Sequence, residues 1–110
     1  MATFVKGDIV IVPFPFSDLT QAKRRPALVI VGLQGNNLIL CQITSRLIRE
    51  QYAIALDSDN FESGSLQQSS NVRPNRLFTA DQQIVLYQAG RLKSEKTNEV
   101  IAKIIEILQR

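Results

Sequence analysis

The sequence predicts a mainly β (α+β) fold, a small β-barrel or curled sheet covered by one C-terminal amphipathic helix. Several short, β-branched apolar runs are separated by turn residues, which is typical of small barrels. The apolar period then changes to a helical one near the C-terminus. The chain has 110 residues, so we expect one domain over residues 1–110.

The first half of the chain contains three predicted strands. Residues 9–14 form an apolar run that ends among prolines, and residues 17–25 form a polar loop. Pro26 restarts the chain in an extended conformation, which predicts a buried strand over residues 27–31. A Gly-Asn-Asn turn at residues 35–37 then predicts a hairpin that returns through residues 38–44.

The second half is less regular. Residues 52–56 form a short strand, and the polar residues 57–71 are predicted to be a loop. A further strand covers residues 72–78, interrupted by Pro74. From Ser94, a predicted N-cap, an amphipathic helix begins whose apolar stripe is Val100, Ile101, Ile104, Ile105 and Leu108.

The composition excludes several classes of function. Histidine is absent and Cys41 is the only cysteine, so neither a disulfide framework nor a zinc site of the usual kind is expected, and Cys41 is predicted to be a buried, inert thiol. No apolar run approaches the ~20 residues of a membrane span. We therefore expect a soluble, cytoplasmic protein without membrane contact, metal or cofactor, and its net charge of +3 is compatible with a polyanionic partner.

The most informative cluster is Lys23, Arg24 and Arg25, immediately before Pro26. Guanidinium groups whose backbone is fixed by a strand can hold a phosphate in a defined geometry. The local pattern alone also allows three solvated basic side chains.

The predicted hairpin connects this cluster with a hydroxyl group. If the chain turns at residues 35–37, the start of one strand lies beside the end of the next, so Arg25 and Thr44 meet at the same edge, with Ser45 following. An alternative is that Thr44 only favours the strand conformation there.

A third patch contains arginines that alternate with small polar residues: Ser70, Arg73, Asn75 and Arg76. Such residues can contact phosphates and base edges of a single strand, although a solvated strand end has the same composition. The aromatic residues do not form a stacking platform in this pattern, because Phe14 and Phe16 are assigned to the first loop and Phe78 to the core.

Three separated blocks of the sequence resemble the PemK/MazF-like toxins of type II toxin–antitoxin systems. The blocks are GDIV, VPFPFSDL and KRRPALVI (residues 7–10, 12–19 and 23–30), then ITS (43–45), then FESG, SNVRP and LFT (61–64, 70–74 and 77–79). They occur in the family's order and extend over nearly the whole chain. Gln67 and Gln68, and Asn75 with Arg76, depart from or vary within the family pattern, so they leave the target sequence open.

This resemblance implies an SH3-like barrel that works as a homodimeric endoribonuclease. Relatives cut single-stranded RNA at short sequences without a metal, by attack of the ribose 2′-hydroxyl, and a small antitoxin occupies the RNA groove. It further implies nucleic-acid binding in general, DNA included. By the same resemblance Arg25 and Thr44 are the catalytic residues, and the RNA-binding residues are Ser17, Lys23, Arg24, Ser45, Ser70, Arg73, Asn75 and Arg76.

Three alternatives remain at this point. The chain could bind RNA without cutting it, or be a toxin of the same fold that acts on a protein such as gyrase, or be a structural barrel without a ligand. A basic segment that ends at Arg25 and Pro26 favours a phosphate-containing target over a protein target.

Overall fold

A computed structural model describes residues 3–14, 23–45 and 51–110. Seven strands and one helix follow each other in the order β1 (Asp8–Phe14), β2 (Lys23–Gly32), β3 (Asn37–Thr44), β4 (Ile54–Leu56), β5 (Phe61–Gly64), β6 (Ser70–Asp81), β7 (Tyr87–Leu92) and α1 (Ser94–Leu108). Short 3₁₀ turns cover Ser58–Asn60 and Gln82–Ile84. The predicted mainly β class with a C-terminal helix is confirmed.

The strands form one antiparallel sheet in the order β4-β6-β3-β2-β1-β7-β5, which curls into a half-barrel. The hairpin predicted at residues 35–37 connects β2 and β3, and Gly35 supplies the turn's positive φ of 74°. Long-range pairing brings the last strands to the other side of β1, where β7 pairs with β1 and β5 pairs with β7.

Successive side chains of a strand point to opposite faces, so the sheet carries two apolar clusters. One face is covered by α1 and contains Ile9, Leu28, Cys41 and Val100 among its buried residues. The opposite face contains a second cluster that is centred on Val12 and Ala27 and extends to Phe78. Both clusters involve β1, β2 and β3, which lie side by side in the middle of the sheet.

Cys41 lies at the bottom of the first cluster and is fully buried, as predicted. Its thiol donates a hydrogen bond to the backbone carbonyl of Arg73, at 3.0 Å. Burial raises the pKa of the Cys41 thiol to about 12. The thiol is therefore protonated and unreactive at neutral pH.

The prediction of a loop over residues 17–25 is wrong for its last three residues, which belong to a strand. Lys23, Arg24 and Arg25 belong to β2, because they continue its pairing with β1 opposite Phe14, Pro13 and Val12. The basic cluster therefore has a strand backbone. Residues 15–22, with the predicted RNA contact Ser17 and with Phe16, lie outside the described residues.

The polar stretch 57–71 is more ordered than predicted. It contains a 3₁₀ turn, strand β5 and the start of β6, so only Asp57 and residues 65–69 remain without regular structure. Strand β6 runs over Ser70–Asp81 rather than residues 72–78, and β7 was not predicted at all. These strands depend on partners distant in the sequence, which local propensity does not report.

The helix begins at Ser94, and its N-cap is Lys93 rather than the predicted Ser94. Lys93 makes no side-chain capping bond; instead its carbonyl accepts hydrogen bonds from the backbone of Lys96 and Thr97. Within the described ranges, no helix is long and apolar enough to cross a membrane.

Candidate functional site

A groove of about 550 Å³ lies at one end of the sheet, on the same face as α1, which covers the rest of that face. Its floor is one row of side chains across the central strands. Tyr87 of β7 is opposite Ile11 of β1, and Ile11 is opposite Pro26 of β2. Extending the β2–β3 register by one residue adds Ile43, and all four residues line the groove.

The rim of the groove is basic and polar. Arg24 and Arg25 lie on one side with Ser45, the first residue after β3. Arg24 and Ser45 are exposed and Arg25 is half-buried. None of the ion pairs among the described residues involves either arginine. Within residues 3–14, 23–45 and 51–110, no carboxylate neutralises the charge that these guanidinium groups present to the groove.

Residues 65–68 form the opposite wall, between β5 and β6. Gly64 and Gly90 determine its position, since β5 and β7 approach so closely that a Cβ on Gly64 would lie 2.2 Å from the carbonyl oxygen of Ala89. Gly64 also has a φ of +69°, which side-chain-bearing residues rarely adopt. Leu66 packs against the first apolar cluster and anchors the wall from below.

The far end of this wall is held by Ser70. This residue is 5% exposed, and its hydroxyl donates a hydrogen bond of 2.9 Å to the backbone carbonyl of Gln68. A smaller pocket of about 200 Å³ adjoins the groove behind residues 65–69 and shares Ser70 with it. The predicted RNA contact Ser70 is therefore engaged within the wall.

The β7 side of the groove is fixed by a buried carboxylate. Asp8 is 1% exposed, and its Oδ1 accepts hydrogen bonds from Nε of Arg91 at 2.8 Å and from Nε2 of Gln88 at 3.2 Å. Its Oδ2 accepts from the backbone N–H of Val5 at 2.9 Å. Bonding to Asp8 also raises the pKa of Arg91, which stays charged. This network holds Gln88, next to Tyr87, against β1.

The two predicted catalytic residues stand at the same end of the sheet. The β2–β3 pairing ends with Ala27 opposite Gln42, and two residues further the same register sets Arg25 opposite Thr44. By strand alternation both belong to the face opposite the groove floor. Arg25 nevertheless lines the groove, whereas Thr44 does not. Thr44 pairs on its other side with Asn71 of β6.

The remaining predicted contacts lie outside the groove lining as far as the described residues define it. Lys23 is exposed at the start of β2. Arg73, Asn75 and Arg76 fall in an irregular part of β6, where the register shifts between Val72, opposite Ile43, and Leu77, opposite Cys41. This shift turns the 73–76 segment away from regular pairing, and Asn75 and Arg76 are exposed.

Sequence reasoning missed the part of the groove that β7 supplies, Tyr87 above all. The aromatic residues that it did weigh are elsewhere. Phe14 lies in β1 rather than in a loop, and its ring packs against Phe78 with 5.7 Å between centroids. A usable signal was present in the sequence: the tyrosine opens a short run with Gly90 just before the helix, which is a plausible final strand of a barrel.

None of the described residues that line the groove is acidic or contains sulfur. Across the three described ranges, no group of three or more His, Cys, Asp or Glu side chains is arranged to hold a metal ion. The chemistry available at the groove is thus that of guanidinium, hydroxyl, amide and aromatic groups.

Comparison with protein families gives one match over nearly the whole chain. The family model described as "PemK-like, MazF-like toxin of type II toxin-antitoxin system" matches residues 5–108. No curated protein sequence matches the chain.

Solved structures with the same fold include toxins alone and toxins with their antitoxins. MazF from Deinococcus radiodurans is 21% identical, with all of both chains covered and a TM-score of 0.77. A MazE–MazF complex from the same organism is 19% identical, with 98% of each chain covered and a TM-score of 0.78. An endoribonuclease with its cognate antitoxin from a Mycobacterial species is 10% identical over 97% of this chain and 96% of that one, with a TM-score of 0.75.

Proposed function

Because the chain belongs to the PemK-like, MazF-like toxin family of type II toxin–antitoxin systems, we propose that it is an endoribonuclease that cleaves single-stranded RNA without a metal ion. The observation that carries the proposal is the groove whose rim holds Arg24 and Arg25, neither of them ion-paired with any described residue. Such a surface attracts the phosphates of a nucleic acid strand and places them at a fixed backbone.

The proposed reaction uses the substrate's own nucleophile. The ribose 2′-oxygen attacks the adjacent phosphorus in line and loses its proton, while the bond from phosphorus to the 5′-oxygen breaks and that oxygen gains a proton. The products are a 2′,3′-cyclic phosphate and a 5′-hydroxyl. The step needs stabilisation of the negative phosphorane more than a nucleophilic side chain, and a fixed guanidinium supplies it.

The roles of Arg25 and Thr44 in the proposed cleavage follow from their positions on neighbouring strands. Arg25, half-buried and bordering both the groove and the opposite face, stabilises the phosphorane and assists proton transfer. Thr44, on the next strand, donates a hydrogen bond to a phosphate oxygen. The scissile phosphate then lies at the sheet edge where β2 begins and β3 ends.

The other predicted contacts divide into two groups in this proposal. Arg24 and Ser45 line the groove and bind the strand directly, and Ser70 acts through the wall that it holds. Lys23, Arg73, Asn75 and Arg76, with Ser17, bind flanking nucleotides outside the groove.

We further propose a cognate antitoxin that neutralises the toxin in the cytoplasm by occupying the same basic groove. The similar structures include MazE–MazF complexes and an endoribonuclease in complex with its cognate antitoxin. An acidic segment would bind the two arginines at the rim by the same charge attraction that a nucleic acid uses. A homodimer and DNA binding also remain predictions of the family resemblance.

The proposal is tested by incubating the protein with a long RNA in the presence of EDTA and mapping the new 5′ ends. We expect 5′-hydroxyl ends at a short recurrent sequence, and cleavage at least about 100-fold slower in Arg25→Ala, the loss typical of one oxyanion donor. Arg110→Ala is the charge-matched control, because Arg110 lies at the end of α1 beside Tyr52. Equal cleavage by wild type and Arg25→Ala would exclude the assigned role, and no cleavage by the wild type would exclude the activity.

A further inference from the structure

Tyr87 lies on the floor of the groove and is 50% exposed. It is opposite Ile11, which is only 7% exposed, and the row continues through the half-buried Pro26 to the buried Ile43, so the ring stands at the most exposed end of this apolar row. Its hydroxyl has no hydrogen-bond partner among the described residues. The side chain therefore contributes a large apolar surface to the groove without an evident role in the core.

The chain's other tyrosine provides a contrast. The hydroxyl of Tyr52 accepts a hydrogen bond of 2.7 Å from Arg110, whose guanidinium also lies 4.9 Å from the centre of the Tyr52 ring. Both the polar and the aromatic part of Tyr52 thus have an intramolecular partner. Tyr87 has the same chemical groups and presents them to the groove.

A flat aromatic surface beside a positive rim is the combination that binds single-stranded nucleic acid. Phosphates are held by cations while unpaired bases stack on aromatic rings. Tyr87 and Pro26 are two strands apart, which is roughly 10 Å at the usual strand spacing, and Arg25 precedes Pro26. One short strand can therefore contact the arginines and the ring together.

We propose that Tyr87 is a stacking platform for one base of the bound strand, next to the phosphates held by Arg24 and Arg25. This inference rests on the proposed function and assigns to Tyr87 the binding of one base of the substrate. The opposite wall carries the amides of Gln67 and Gln68, which are exposed and line the same groove. A base stacked on Tyr87 presents its edge to these amides, so this subsite contributes to the choice of target sequence.

Binding affinity is measured with homopolymeric single-stranded DNA about 12 nucleotides long, a length suited to one small binding domain. They contain phosphates and bases but lack the 2′-hydroxyl, so the proposed cleavage does not occur. A loss of about 5- to 140-fold in affinity is expected for Tyr87→Ala, which corresponds to ~1–3 kcal/mol for stacking at 1.4 kcal/mol per tenfold. Tyr87→Phe keeps the ring and binds like the wild type.

Two controls separate stacking from other effects. Leu86→Ala removes an apolar side chain of the same exposure, 49%, that does not line the groove, and should not change affinity. The salt dependence of binding should keep its slope in Tyr87→Ala, because no phosphate contact is lost, whereas Arg24→Ala should reduce the slope by about one.

A direct readout comes from tyrosine fluorescence, since the chain has two tyrosines and no tryptophan. In a Tyr52→Phe background Tyr87 is the only emitter, and stacking on a base should quench it as the strand binds. Unchanged emission at saturation, or wild-type affinity in Tyr87→Ala, would overturn the inference and point to a protein partner at this ring. If the wild type binds no strand and cleaves no RNA, the proposed function fails as well.

Discussion

The carboxylate of Asp8 should be the most sensitive polar group of the fold, and Asp8→Ala tests this. Two neutral donors lose their acceptor, the Val5 N–H at 2.9 Å and the Gln88 amide at 3.2 Å. Hydrogen bonds to a charged group contribute about 1.5–3 kcal/mol each, and because these are only partly buried we use the lower value, about 3 kcal/mol for both. Nothing is added for Arg91, whose side chain is 43% exposed and screened by solvent.

The measurement is urea unfolding followed by far-UV circular dichroism. Asp8→Ala should lower the free energy of unfolding by about 3 kcal/mol, and Tm by about 12 °C at roughly 4 °C per kcal/mol for a domain of this size. Asp59→Ala, which removes an exposed carboxylate, serves as the control and should stay within about 0.5 kcal/mol of the wild type. A loss below about 1 kcal/mol for Asp8→Ala would refute the reasoning that the network stabilises the fold.

Two further predictions concern the groove wall and the core. Gly64→Ala should destabilise the protein by about 2–5 kcal/mol, because it adds both a positive-φ penalty and a clash with Ala89. Gly35→Ala is the control: Gly35 has a φ of +74° and nothing within 4 Å of the added Cβ, so this change should cost only about 1–2 kcal/mol. Equal losses of unfolding free energy in urea would contradict the close approach of β5 and β7. Cys41 should resist thiol reagents at pH 8 until the protein unfolds. Folding raises the pKa of this thiol from 9.0 to about 12, so its contribution to stability is complete below pH 9 and is lost as the pH rises from 9 to 12, and Cys41→Ala should lack that part of the pH dependence.

The sequence by itself determined the elements whose signals are local. The apolar strand over residues 9–14, the turn that Gly35 allows and the amphipathic period of α1 all depend on residues close together in the chain, and each is present in the structure. The hairpin also follows from its turn, but its exact register does not: an irregularity between Val29 and Val31 shifts the pairing by one residue, which sets Arg25 opposite Thr44 rather than Ser45.

Only the tertiary structure decided which residues surround the groove. Strand β7 exists because it pairs with β1, and β5 because it pairs with β7, both over long sequence distances; the close contact of β5 and β7 depends on Gly64 and Gly90. Local propensity contains no information about such partners. The wall at residues 65–68 and the position of the exposed Tyr87 ring are consequences of that pairing, so they depend on the tertiary structure and not on local sequence signals.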